Sequence, residues 1–320
     1  MRATVAILTY NGDDYLEAIL SALETQQFDG DFEVLVIDSG SMDSTLQIVA
    51  AHPAVRLHQI PNSEFGHGKT RNLAAQLANG EFVAYLTHDA VPADDFWLSE
   101  MLEPFARFPE VEAVLGRQVA RPDCVPVLKY EIRRAFDAQG PEFGTTISYE
   151  SPAFARDPEY ARRARIYSDV NSAARRAFLT GAIPYRDVPY AEDQLFAQDV
   201  LAAGKSKAYA GRGTVIHSND LTYGQYGKRI FDEIVGLRQA GAEVPPLPGA
   251  LRTLARALVL DPIDIVRDQE YPAGRKLYWL VVNPFYHLAK YRAVRRGLRV
   301  DLADARRIAQ GSLEAERKKR

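Results

Sequence analysis

At 320 residues, with 47% apolar and 25% charged side chains, the chain can form one large domain or two smaller ones and can bury a sizeable core. A formal net charge of −3 gives no global pull toward nucleic acid, and a single cysteine, Cys124, excludes an intrachain disulfide framework and suits a reducing compartment. No stretch approaches the roughly 20 apolar residues of a membrane span, and the opening apolar run is too short for a signal peptide, so the expected location is the cytoplasm, or the inner face of the cell membrane.

The first third alternates two periods. Thr4–Leu8, Phe32–Asp38, Val55–Ile60 and Phe82–Leu86 are short β-branched or apolar runs and read as strands. Between them, Tyr15–Thr25, Ser44–Ala51 and Thr70–Ala78 carry apolar residues at helical spacing, as with Leu16, Ile19, Leu20 and Leu23. Asp94–Phe108 follows as a helix with Trp97, Met101, Leu102 and Phe105 inward. This alternation predicts an α/β domain with a mainly parallel sheet and helices on both faces. Val111–Val119 reads as a strand and Val125–Ala138 as a helix. Residues 139–165 mix Gly, Pro, aromatic and Arg residues without a period. Such a segment is usually functional or disordered, and it reads here as a loop covering a substrate. Ala191–Ala203 is a helix ending at Gly204, and Lys207–Tyr209 and Thr214–Ile216 are two short strands. Beyond His217 the pattern is helical over Tyr223–Gln239, Leu251–Leu260, Lys276–Arg296 and Leu302–Lys319, with a break at Pro245-Pro246-Leu247-Pro248-Gly249. A boundary near Asp220 separates an α/β domain, residues 1–220, from a helical extension, residues 221–320.

Four regions carry polar clusters where strands end. They are Thr9-Tyr10-Asn11-Gly12, Asp38 to Thr45, Phe65 to Asn72 and Thr87-His88-Asp89. Ligands of open α/β sheets bind at the carboxyl ends of the strands. Asp89 alone also suits a helix cap, and Asp38-Ser39-Gly40-Ser41 is a good turn. Four such ends on one rim bring hydroxyls, amides, two carboxylates and two cations together, which chance capping explains poorly. A carboxylate there can hold a divalent cation, and the cation a diphosphate.

In their order and spacing, these stretches, with Ala191-Glu192-Asp193-Gln194, resemble glycosyltransferase family 2, of GT-A fold, over roughly residues 4–217. Phe65 to Asn72, His217-Ser218 and Lys228 to Asp232 are similar to its bacterial rhamnosyltransferase branch. The resemblance implies an inverting, metal-dependent transfer from a nucleotide sugar to a hydroxyl of a cell-surface glycan or a lipid-linked acceptor, with dTDP-L-rhamnose as the donor of that branch. It places the nucleotide sugar near Thr9, Asn11, Asp38, Ser39, Thr87 and His88. Ser39 and His88 stand where relatives often carry carboxylates. Lys69 and Arg71 are placed to meet pyrophosphate or base oxygens, the arginine through its planar fork; solvated charge at a helix start is the other reading.

Asp89 matches the family's metal position, and His217 lies where some relatives place a further ligand. One carboxylate with diphosphate oxygens and waters holds Mg²⁺, whereas an imidazole favours Mn²⁺. A lone His can equally be structural. Asp193 maps to the base for the acceptor hydroxyl. Glu192, about 100° away on the helix, binds the acceptor or orients the loop; both acids also suit a helix N-terminus. Asn171 to Arg176 either line the sugar pocket or pack the core. The other functional readings are transfer from a UDP-hexose or UDP-N-acetylhexosamine, and a non-catalytic nucleotide- or glycan-binding scaffold. Finally, Tyr278 to Arg299 mixes aromatics with a basic end. Such a helix lies in a membrane interface, or packs on the catalytic domain or a second subunit, as in a homodimer.

Overall fold

A nine-stranded sheet carries the first of two units, made of residues 1–119, 133–188 and 192–217. The computed structural model describes residues 1–320 apart from 220, 243, 245, 248 and 318–320. The expected boundary at Asp220, Pro245 and Pro248 of the break, and the end of the last predicted helix lie outside the described residues.

The chain opens with β1 (Ala3–Thr9), α1 (Leu16–Glu24), β2 (Phe32–Asp38), α2 (Thr45–Ala51), β3 (Val55–Gln59), α3 (His67–Leu77) and β4 (Phe82–Thr87). β3, β2, β1 and β4 lie side by side in that order and all are parallel. The registers Thr9↔Asp38 and Leu8↔Thr87 bring three strand ends to one rim. The chain passes from β1 to β2 on one side and returns as β4 on the other. At such a reversal of strand order an open α/β sheet has its binding crevice. Val5, Ile7, Leu16, Ile19, Leu20, Val36, Ala84 and Leu86 are buried beneath it; each larger one contributes about 1.5–3 kcal/mol by leaving water.

Next come β5 (Val91–Pro92), α4 (Trp97–Arg107), β6 (Val111–Val119), α5 (Pro126–Asp137), β7 (Thr145–Tyr149), α6 (Ala153–Arg156), α7 (Pro158–Ala164), β8 (Asn171–Arg175), α8 (Arg176–Thr180), α9 (Glu192–Ala202) and β9 (Ser206–Ile216). β8 runs antiparallel between β4 and β6. β9 is parallel to β6 and antiparallel to β5 and β7.

Two expectations change here, and one open reading is narrowed. Residues 139–165 are not a bare loop: they contain β7, α6 and α7. Thr145, Thr146 and Ile147 are good strand formers, but their partner β9 comes much later in the chain, where no local pattern reveals it. The two short strands after Gly204 are one, β9. Its pairing with β6 jumps from Gly116↔Ala210 to Arg117↔Thr214, so the glycine-bearing stretch between bulges and mimics a break. Asn171, Ser172, Ala173 and Ala174 are fully buried in the sheet interior, so of the two readings for this segment the structure takes core packing. Asn171 donates to the carbonyls of Arg117 (2.9 Å) and Gly213 (2.7 Å) and accepts from Trp97 Nε1 (3.0 Å). A Cβ on Gly116 would lie 2.2 Å from its Nδ2, so the close approach requires glycine.

The second unit comprises residues 120–132, 189–191 and 218–320. It holds α10 (Tyr223–Gln239), α11 (Ala250–Ala255), a π-helical turn at Arg256–Leu260, α12 (Asp261–Arg267), α13 (Ala273–Arg299), α14 (Ala305–Gly311) and α15 (Leu313–Arg317). Residues 120–132 and 189–191, expected in the α/β domain, join these helices: Val127 and Tyr130 share a core with Tyr226, Ile265, Tyr271, Trp279 and Tyr286. Thr222 and Gln225 form a capping box that starts α10. The segment Lys228 to Asp232 builds this unit. Arg229 donates to the Tyr190 hydroxyl (3.1 Å), and Asp232 accepts from the amides of Leu313 (2.8 Å) and Glu314 (3.1 Å). Among the described residues no helix is long and apolar enough to cross a membrane.

Candidate active site

Beyond β1 the chain turns at Asn11, whose φ of 49° lies in the left-handed region that Asn tolerates better than most residues. The Asn11 amide donates to Ser41 Oγ (2.8 Å) and its Oδ1 accepts from the Met42 amide (2.9 Å). The Gly12 amide donates to Thr45 Oγ1 (2.8 Å) and that of Asp13 to Asp43 Oδ2 (3.2 Å). These bonds join the loops after β1 and β2 into one ledge.

Thr9, Asp38 and Ser39 lie beneath it, each no more than 2% exposed. Asp38 Oδ1 accepts from the amides of Gly40 and Ser41, both at 3.0 Å, and Oδ2 accepts from Thr9 Oγ1 (3.1 Å) and Ser41 Oγ. Ser39 Oγ donates to the Thr9 carbonyl (3.0 Å). The polar atoms of all three are thus engaged with the protein and shape the ledge. Asn11, and Lys69 on the first turn of α3, are exposed. His88 is half-buried against Gly12, where a Cβ would lie 3.0 Å from the Cβ and Cγ of the His88 side chain.

Thr87, His88 and Asp89 leave β4 half-buried. Asp89 Oδ2 lies 3.3 Å from Nε2 of His217, the residue that follows β9 and whose amide donates to the Val119 carbonyl (2.8 Å). Burial opposes ionisation of Asp89, but its bond to His217, aided by Thr87 and His88, outweighs that and holds the carboxyl well below the usual range. An ionised oxygen and an imidazole nitrogen at this separation suit one divalent cation with bonds of about 2.1 Å. Among the described residues no group of three or more His, Cys, Asp or Glu is arranged around an ion. The pair would leave room for diphosphate oxygens and water on the cation, and its imidazole favours Mn²⁺ over Mg²⁺.

A second acidic centre forms at the start of α9. Ala191, just before it, has a φ of 61°, a strained conformation for a residue with a Cβ. Arg71 is buried, with Nε 3.0 Å from Asp169 Oδ2 and Nη1 paired with Glu192 Oε1. Asp169 reaches this point because β8 runs antiparallel to β4, with Asn171 opposite Leu86, so the turn into β8 lies at the carboxyl end of β4. Its Oδ1 accepts from Ser172 Oγ (2.5 Å) and the Tyr185 hydroxyl (2.8 Å). Three carboxylates, those of Asp169, Glu192 and Asp193, lie in the field of one guanidinium. Burial, then repulsion by Glu192 and Asp169, pushes the Asp193 carboxyl up to about 8.

This packing gives two expected binding residues protein partners. The Arg71 fork is engaged by two carboxylates. Glu192, 5% exposed, is paired with Arg71, whereas Asp193 is half-buried. Asp169 escapes a reading of the sequence. Its signal is only a carboxylate two residues before a buried run, and the antiparallel pairing gives it meaning.

Residues 4–179 match the profile of Glycosyl transferase family 2. The chain belongs to glycosyl transferase family 2. The transferase is 27% identical over 241 residues to the O-antigen chain rhamnosyltransferase RfbN of Salmonella typhimurium, a match covering 72% of this chain and 71% of that one. It is 31% identical over 203 residues to the O-antigen chain rhamnosyltransferase WbaN of Salmonella anatum, covering 62% and 61%. Its fold is similar to that of S. aureus TarS 1-349 in complex with UDP-GlcNAc, with a TM-score of 0.55 at 20% identity over 97% of this chain and 79% of that one. It is also similar to that of the mannosyltransferase PcManGT from Pyrobaculum calidifontis in complex with GDP-Man and Mn²⁺, with a TM-score of 0.54 at 21% identity and the same coverage. The α/β unit has the GT-A fold, and the transferase is an enzyme of the glycosyltransferase class.

Proposed function

We propose that the transferase moves L-rhamnose from dTDP-L-rhamnose to a hydroxyl of a cell-surface glycan or lipid-linked acceptor, with inversion at the anomeric carbon. The observation that carries the chemistry is Asp193, a carboxyl at a strained helix start whose proton affinity is raised by burial and two neighbouring acids. A base of high pKa is the more effective once ionised. Asp193 takes the acceptor proton as the acceptor oxygen attacks the anomeric carbon, and the bond to the diphosphate breaks with its electron pair leaving on the diphosphate. Asp89 and His217 would hold the divalent cation, Mg²⁺ or Mn²⁺, which when bound supplies charge to the leaving diphosphate. Arg71, between Asp169 and Glu192, holds the start of α9 in place. Asn11, Lys69, Thr87 and His88 are the rim groups offered to the nucleotide sugar, over the ledge built by Thr9, Asp38 and Ser39. A lipid-linked acceptor would put the reaction at the cytoplasmic face of the membrane.

The choice of rhamnose leans on the two O-antigen rhamnosyltransferase relatives. A UDP-N-acetylhexosamine donor is the second reading, favoured by the likeness to TarS with UDP-GlcNAc. Nucleotide release from dTDP-rhamnose, UDP-glucose and UDP-GlcNAc, measured with and without Mn²⁺, decides between them; a clear preference for a UDP-sugar sinks the rhamnose assignment. Asp193→Asn should lower transfer by about 10²–10⁴-fold while dTDP binding persists. Normal turnover by that variant would remove Asp193 from the mechanism.

A further inference from the structure

The helical unit leaves a continuous apolar surface in solvent. Leu254, Leu258, Val259, Leu260, Ile263 and Val266 are 44–61% exposed, and on α13 Leu277, Val281, Phe285 and Leu288 are 41–68% exposed. A groove of about 400 Å³ is lined by Leu258, Ile263, Val266 and, from α13, Leu280. Patches of this extent mark interaction sites.

The sequence of α13 says what kind. Residues 277, 281, 285, 288, 292, 295 and 299 follow one another by three or four positions and so form one stripe. Trp279, Asn283, Tyr286, Ala293 and Gly297 are buried on the opposite side. The exposed stripe is apolar from Leu277 to Leu288 and then cationic at Arg292, Arg295 and Arg299. Those three arginines, with Arg296 and Arg307, line a second groove of about 410 Å³. Residues 250–299 hold ten Lys or Arg and four acids. Asp261 pairs with His287, and both Asp268 and Glu270 pair with Lys129. A second copy of the chain fits this stripe poorly: full overlap sets arginine against arginine in one direction and arginine against apolar residues in the other. Anionic headgroups over acyl chains answer both halves.

We infer that the exposed face of α11, α12 and α13 seats the helical unit on an anionic lipid surface, with Val281 and Phe285 entering the acyl boundary and Arg292, Arg295 and Arg299 meeting lipid phosphates. Its use in reaching a lipid-linked acceptor rests on the function proposed above; the binding itself does not.

Flotation of the full chain tests this, with vesicles of phosphatidylcholine alone or mixed with phosphatidylglycerol. The protein should rise with the mixed vesicles at about 0.1 M salt, and binding should weaken toward 1 M as screening tightens. Each of Arg292→Gln, Arg295→Gln and Arg299→Gln should lower partitioning about fivefold. Val281→Ser with Phe285→Ser should abolish it, with the thermal transition followed by circular dichroism unchanged. If that transition is lost, Leu277→Ser with Leu288→Ser replaces the pair and should give the same result. The inference is overturned if the wild type stays at the bottom of the gradient, if the serine variants float as well as the wild type, or if light scattering shows a dimer that the serine variants split. Loss of flotation with sugar transfer intact would leave the proposed function standing, and the converse would leave this surface standing.

Discussion

Asp89 and Asp193 are held in opposite states. His217 keeps Asp89 ionised, while burial and two neighbouring acids keep Asp193 protonated up to about 8. Such divergence sorts carboxyls into roles: the permanent anion suits a cation, the reluctant one suits proton transfer. Asp193 also sets a stability slope. The folded chain retains its proton up to about 8, whereas the ordinary value is 3.8, so between these limits folding is weakened as pH rises. Asp193→Asn removes that penalty. Its melting temperature should exceed the wild type's by a margin that grows across this window and levels off above it. The kcat/KM profile, which reports the free enzyme, should rise to a limb near 8 in the wild type. At Asp89 and His217, proposed to hold the cation, the scale is set by outer partners of metal ligands, whose loss alone typically costs about 10–100-fold in metal affinity. Asp89→Asn should therefore weaken Mn²⁺ binding in the presence of dTDP by at least that much by calorimetry. Unchanged affinity in His217→Ala would remove the imidazole from the shell.

At the scale of elements, helices are pinned by few, specific polar contacts. His52 ends α2 and reaches α1, with Nδ1 2.7 Å from Glu24 and Nε2 3.4 Å from Glu17. The bond to Glu24 raises the imidazole's pKa above the ordinary 6.5 against the opposing effect of burial. The imidazolium therefore stabilises the fold fully below 6.5, and the contribution fades as pH rises through the folded value. The melting-temperature gap between wild type and His52→Gln should be widest on the acid side and close at alkaline pH. β8 depends on a denser device. Asn171→Ala would take a hydrogen-bond partner from buried Trp97 Nε1, from the buried Gly213 carbonyl and from the Arg117 carbonyl, at about 1–3 kcal/mol for each buried group left unpaired. Urea denaturation should show a loss of about 3 kcal/mol or more, with an unchanged slope if the loss is confined to the native state.

At the scale of the molecule, the two units treat apolar side chains differently. The α/β unit buries them in layers against the sheet, with Val5, Ile7 and Val114 fully enclosed. The helical unit buries an aromatic cluster around Trp279 and Tyr286 and leaves a second apolar set, with Phe285 and Leu277, in water. That division makes the lipid test a statement about the helical unit alone, while the pH and metal predictions concern the α/β unit.

Local pattern was enough for the parallel half of the sheet, because each βα step is read from periodicity within about ten residues and the polar strand ends mark its rim. Asp89 and Asp193 were legible for the same reason: each sits at the end or start of a clear element, in an order that resembles one family. The sequence by itself thus determined the fold class and the rim of strand ends, and it offered Asp89 and Asp193 as candidates. Tertiary structure alone decided what pairs across distance. It carried β7 to β9 and β8 between β4 and β6. It brought Asp169 and Glu192 to the same Arg71 guanidinium. It also drew residues 120–132 into the helical unit. Each outcome depends on which buried charge or strand edge finds a partner far along the chain, and that choice is made by burial and pairing energies that no local window contains.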